Sequence, residues 1–198
     1  GKSLILNKGP SEIYNSGTKF SASYSAADKA GLGTDGDPET SYDFRDATLT
    51  ARDGSQNLDL IWDLSGVGHN YNFTQAIFMG LTPGVQPYYT GWYRIYISDD
   101  YDLLFDDESI AFEYNAIDEE NPDELCCGAS VKFAKPITGC YVGLRYLCTN
   151  YSETQSNYAR IREFAIYGTE APVDNTPFNL ASNMPVNAYL EQNDGSIK

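Results

Sequence analysis

The chain has 198 residues, enough for one sizeable core or a core plus a tail, and its 41% hydrophobic content is ordinary for a globular protein. Its 28 Asp and Glu against 13 Lys and Arg leave a net charge of -15, which repels phosphate backbones and anionic head groups and argues against nucleic acid as a partner. No apolar run approaches the ~20 residues that span a bilayer, so direct membrane insertion is not expected, and the opening Gly1–Leu6 is too short for a signal-peptide core.

Tyrosine dominates the aromatics, with 16 beside 9 Phe and 2 Trp, and suits half-buried strands and mixed polar and apolar surfaces. In chain order the first expected strand is Lys19–Tyr24. The segment Thr34–Thr40 then packs hard oxygen donors into a Gly/Pro turn, which suits a bound calcium ion. In Leu58–Leu64, Leu58, Leu60, Trp62 and Leu64 alternate with Asp59, Ile61 and Asp63, the period of a strand with one face in the core, where Trp62 is expected. Phe73–Leu81 follows, and Trp92–Ser98 repeats the alternation through Tyr93, Ile95 and Ile97. Ile110–Tyr114, Ser130–Phe133, Cys140–Leu147 and Ala159–Tyr167 complete the set. Turn-rich separators, among them Asp53-Gly54-Ser55, Ser65–Gly68, Pro83-Gly84 and Asn121-Pro122-Asp123, divide these runs, and almost no helix is expected. Many short strands so connected predict a two-sheet antiparallel sandwich.

The acidic stretch Asp99–Glu124 lacks the regular acid spacing of a helix-loop-helix calcium site and reads as a solvated surface. Four cysteines, Cys126, Cys127, Cys140 and Cys148, permit three full pairings. The one histidine, His69, is remote and the spacings form no paired knuckles, so a disulfide is expected rather than zinc, with one of the vicinal pair joining Cys140 or Cys148. The chain carries no Gly-x-Ser-x-Gly elbow, His-Glu-x-x-His helix or phosphate-binding glycine loop, and no enzymatic activity is expected.

The ordered set Thr34–Asp37, Thr40–Tyr42, Leu60–Leu64, Tyr93–Asp100, Tyr141–Tyr146 and Arg160–Gly168 resembles the discoidin or coagulation-factor type C domains. These belong to the galactose-binding-like jelly rolls, which include many bacterial carbohydrate-binding modules. Tyr42, where that family commonly has tryptophan, and the acidic insertion depart from the pattern. The resemblance implies an all-β, antiparallel jelly-roll β-sandwich. It also implies one structural calcium ion held by Asp35, Asp37, Thr40 and Glu163 with a carbonyl near Leu32 or Gly33, since calcium tolerates a mixed shell of oxygen ligands. The plainer alternative for Asp35-Gly36 is a tight turn whose carboxylate caps the backbone.

In such folds recognition residues lie on loops at one end, and here the aromatic loop Pro83–Trp92 is the candidate. Tyr88, Tyr89 and Trp92 are expected to supply a platform for the apolar face of a sugar, with Arg52, Asn57 and His69 as polar partners. The alternative places Trp92 in the core. Domain limits are expected at 1–169, with a linker at 170–178. Residues 179–198 are either a C-terminal extension or the start of a second repeat, since Pro185 and Tyr189 repeat the spacing of Pro10 and Tyr14. The implied function is a non-catalytic, calcium-stabilised carbohydrate-binding module of a larger secreted or cell-surface bacterial protein. Its partners would be a glycan or polysaccharide and other modules of the same polypeptide, in an extracellular setting. A protein-binding or spacer module of an adhesin or scaffold is the alternative.

Overall fold

A computed structural model describes residues 1–19, 30–49, 51–66, 69–80, 91–115, 117, 128–149 and 158–172. Its strands in chain order are β1 (Glu12–Asn15), β2 (Thr18–Lys19), β3 (Tyr42–Thr48), β4 (Leu58–Asp63), β5 (Tyr71–Met79), β6 (Trp92–Ser98), β7 (Ile110–Asn115), β8 (Gly128–Gly139), β9 (Tyr141–Cys148), β10 (Tyr158–Ile161) and β11 (Glu163–Glu170). Two short 3₁₀ turns, Ala30–Gly33 and Asp107–Ser109, are the helical elements among the described residues.

The strands form a six-stranded sheet in the order β2-β1-β4-β9-β6-β7, a three-stranded sheet β11-β5-β8 and a two-stranded ribbon β10-β3, with every pairing antiparallel. The expected alternation decides which side chains face inward. Leu58, Leu60 and Trp62 of β4, Tyr93, Ile95 and Ile97 of β6, and Val142, Leu144 and Tyr146 of β9 join one core with Phe73, Ala76 and Phe78 of β5 and Phe164 and Ile166 of β11. Ring contacts close the two layers, at 4.9 Å between the centroids of Trp62 and Phe164 and 4.6 Å between Phe78 and Tyr93. Trp62 is a core residue, 1% exposed. The chain is thus the all-β antiparallel sandwich that the alternation predicts.

The structure revises several expected elements. Strands β1 and β3 were not expected, because neither EIYN nor YDFRDAT shows a clean apolar stripe; both form through pairing with neighbours distant in sequence, β4 and β10. Of Lys19–Tyr24 only Lys19 lies among the described residues, at the end of the edge strand β2. The expected strand Ala159–Tyr167 is two strands in different sheets, bent at Arg162, whose N–H donates to the Met79 carbonyl at 2.8 Å. No Gly or Pro marks this break, so turn chemistry did not signal it. β8 is longer than expected and runs through Pro136, tolerated because β8 is an edge strand with a register shift against β5 at this level.

The acidic insertion also differs from a plain solvated surface. Its acids Asp99, Asp100, Asp102, Asp106, Asp107 and Glu108 are exposed, but Leu104, 1% exposed, turns inward onto Ile61 and Tyr96, with Phe105 packed beside them. A second small core therefore covers the outer face of the six-stranded sheet. Among the described residues, Cys140 and Cys148, both buried, are not joined to one another. Cys140 precedes β9 and Cys148 is the last of its eight residues, so about 26 Å of extended chain puts them far beyond disulfide reach of each other. The Cys140 thiol instead points at the Asp99 carbonyl and that of Cys148 at the Leu49 carbonyl, each at 3.8 Å. No disulfide is present among the described residues, where a bridge to Cys140 or Cys148 was expected, and Cys126 and Cys127, the other half of the expected pairing, lie outside them.

Candidate functional site

The loop 34–40 is fastened before it offers any ligand. The Thr34 hydroxyl donates to the Lys8 carbonyl at 2.9 Å, and the Asn7 N–H donates to the Thr34 carbonyl at 2.8 Å. Gly33 lies so close to β10 that a Cβ there would stand 2.6 Å from Ile161 Cγ2. Gly36 has φ +83°, a conformation costly for other residues, and its N–H donates to Glu163 Oε2 at 2.9 Å. From below, Arg162 Nε donates to the Pro38 carbonyl at 2.6 Å and its guanidinium reaches Glu39 at 3.6 Å.

Oxygen atoms crowd the centre of this loop. The Thr40 hydroxyl oxygen lies 3.0 and 2.9 Å from the two carboxylate oxygens of Asp35, 3.0 Å from the Leu32 carbonyl and 2.9 Å from the Asp37 carbonyl. One hydroxyl proton cannot serve four acceptors. Glu163, 8% exposed, faces the loop and accepts from Gly36. Burial is the main influence raising its pKa; the Gly36 N–H opposes this, while the negative charges of Asp35 and Asp37 add to it. The Asp37 carboxylate points elsewhere and accepts from the Glu39 N–H at 2.9 Å, so Asp37 offers the centre its carbonyl. Among the described residues no three His, Cys, Asp or Glu side chains converge, and the set is two carboxylates, a hydroxyl and main-chain carbonyls. That donor chemistry fits a hard cation with a mixed oxygen shell.

The candidate ligand residues divide between the two ends of β4. At the Leu58 end, Trp92 is half-buried, its indole N–H donates to Glu113 at 2.7 Å, and the Arg94 guanidinium stands 5.3 Å from its ring. Gly54, at φ +76°, presses against this indole, where a Cβ would lie 3.1 Å from two ring carbons. Arg52, in the same loop, donates to the Ile117 carbonyl. The Gly91 N–H donates to the Cys148 carbonyl at 3.1 Å just before β6. Tyr88 and Tyr89 lie outside the described residues. Asn57 turns to the outer sheet face, where its amide donates to Asp59 at 2.8 Å, and Asp59 in turn holds Arg145 through two bonds of 2.6 and 2.8 Å. His69 follows the opposite end of β4, some 20 Å of strand away. Arg52 and the Gly54 that touches Trp92 thus share one loop at the Leu58 end of β4, and His69 lies beyond its other end.

Glu113 was missed from sequence although it fixes both Trp92 and Arg94, the latter at 2.8 Å. Arg94 and Glu113 are direct cross-strand partners of β6 and β7, a signal that exists only once the register is known.

These strands define an antiparallel β-sandwich. No protein-family model matches the chain, and no curated protein matches it in sequence. Solved structures that share its fold include two carbohydrate-binding modules. The family 32 carbohydrate-binding module of Streptococcus pneumoniae EndoD aligns at TM-score 0.54 and 13% identity, over 84% of this chain and 99% of that one. CBM32-3 from a family 31 glycoside hydrolase of Clostridium perfringens aligns at TM-score 0.51 and 17% identity, over 84% and 95%.

Proposed function

We propose that this chain is a non-catalytic carbohydrate-binding module, stabilised by calcium, from a larger secreted or cell-surface bacterial protein. The observation that carries the reading is a built end of the sandwich: a half-buried Trp92, its indole held by Glu113 and packed on Gly54, closing in sequence the segment that contains Tyr88 and Tyr89. Both solved structures of this fold named above are carbohydrate-binding modules, which supports the same ligand class. Tyr88 and Tyr89 are the proposed platform and Arg52 the planar polar partner, a combination that suits a ring with an apolar face and a hydroxyl periphery.

Asp35, Thr40 and Glu163, with the Leu32 and Asp37 carbonyls, would hold the calcium. Bound there, the ion would supply the positive charge that the crowded oxygens lack, tying the loop to the start of β11. An array of plant, host and microbial glycans, probed with and without calcium, tests the reading. Binding is expected at modest affinity, on the order of 10 μM to 1 mM, because a shallow aromatic site buries little area. Tyr88→Ala/Tyr89→Ala should remove the loop-end contribution to that binding while the fold persists. A blank array for folded, calcium-loaded protein would reject the reading in favour of a protein-binding or spacer module.

A further inference from the structure

A cleft on the outer face of the six-stranded sheet stands apart from both regions described above. Two adjoining cavities, of about 210 and 380 Å³, share Ile61 as floor and Tyr101 as wall. The hairpin β1–β2 supplies the opposite wall through Tyr14, and the acidic insertion supplies Tyr101 and Phe105. Together they fall within the ~300–1,000 Å³ typical of small-molecule sites.

The walls are fixed in place. The Tyr14 hydroxyl donates to Glu12 Oε2 at 3.2 Å, the Tyr101 hydroxyl donates to the same oxygen, and Lys19 holds the other. Two aromatic rings from segments far apart in sequence are thus pinned by one carboxylate, which removes much of the ordering cost of a ligand stacked between or upon them. Charge narrows the ligand class. Glu12 is matched by Lys19, and Asp59 at the cleft's inner edge by Arg145, so the cleft does not call for a cation to neutralise them. Asp63 at the other edge accepts the Ser65 N–H and hydroxyl on one oxygen, at 2.8 and 2.5 Å, and directs its second oxygen to no donor among the described residues. Aromatic walls with fixed acceptors at the rim suit a ring that carries its own hydroxyl donors.

We propose that this cleft is a second carbohydrate site, which takes one pyranose unit of an uncharged glycan on Tyr14 and Tyr101, with Asp63 accepting a sugar hydroxyl. It uses none of the residues of the loop-end site and fails separately from it. The test is amide NMR of the full chain during titration with D-galactose, N-acetyl-D-galactosamine, D-mannose and N-acetyl-D-glucosamine, with D-glucosamine as the cationic probe. At least one neutral sugar should shift the amides of Gly17, Ile61 and Asp102. Tyr101→Ala and Asp63→Asn should each weaken that response by about tenfold while core amides stay in place. The response should survive Tyr88→Ala/Tyr89→Ala, whereas shifts at Gly54 and Gly91 report the loop-end site. No shift at the cleft with any neutral sugar, a response confined to D-glucosamine, or one unchanged in both cleft variants would overturn the proposal.

Discussion

At Thr40 a single hydroxyl proton faces four oxygens between 2.9 and 3.0 Å, and the nearby Glu163 is buried against the same negative loop. Burial first, then the charges of Asp35 and Asp37, raise the Glu163 pKa against the opposing Gly36 N–H. The metal-free folded state therefore binds this proton more readily than the unfolded chain does. Its contribution is most favourable below the ordinary carboxylate value, and stability is lost as pH rises from there through the raised value. In chelator, the wild type should lose melting temperature relative to Glu163→Gln as pH rises from about 4 to 7. Calcium should reverse this for the wild type, because the ion favours the deprotonated carboxylate. Asp35→Ala should abolish the calcium-induced rise in melting temperature. A chelator-insensitive melt of the wild type would remove calcium from the account.

Between β6 and β7, the insertion acts as a cover as well as a connection. Leu104 is its anchor, buried on Ile61 and Tyr96, while Phe105 lies 4.2 Å beneath the Arg145 guanidinium. Leu104→Ala should cost about 2–4 kcal/mol in urea denaturation, the usual loss for a buried leucine in a site that only partly collapses. A change below about 0.5 kcal/mol, typical of a surface substitution, would show that the segment is an unattached loop. This cover was not legible in the sequence, because the short run Leu103-Leu104-Phe105 in an acidic stretch has no period to betray its target. By contrast β4, β6 and β9 were legible, since period-2 alternation is a local signal and Leu60, Ile95 and Val142 each carry it. Glycine, proline and acid spacing likewise drew attention to Thr34–Thr40, but the fourfold crowding at Thr40 depends on a fold of the loop that spacing does not encode. The separation of His69 from Arg52 was illegible for a related reason: both sit in turn-rich loops, and only the direction of β4 tells the two ends apart.

Across the molecule, the three central strands of the larger sheet are packed on both sides. β4 buries five successive residues from Leu58 to Trp62, and β9 and β6 bury most of theirs, between the sandwich core and the outer cluster. Among the described residues, the outer cluster includes none from the ribbon β10-β3 or the loop 34–40. Deuterium should therefore enter the molecule unevenly. Amides of Leu60, Ile95 and Leu144 should exchange only when the whole domain unfolds, while those of Asp43 and Arg160, paired across the ribbon, should exchange earlier through local opening. Equal protection at both sets would mean one indivisible unit. With unequal protection, ions and sugars that tighten the rim would slow exchange there first, and the spine of β4, β9 and β6 would serve as the internal clock against which each ligand's reach is timed.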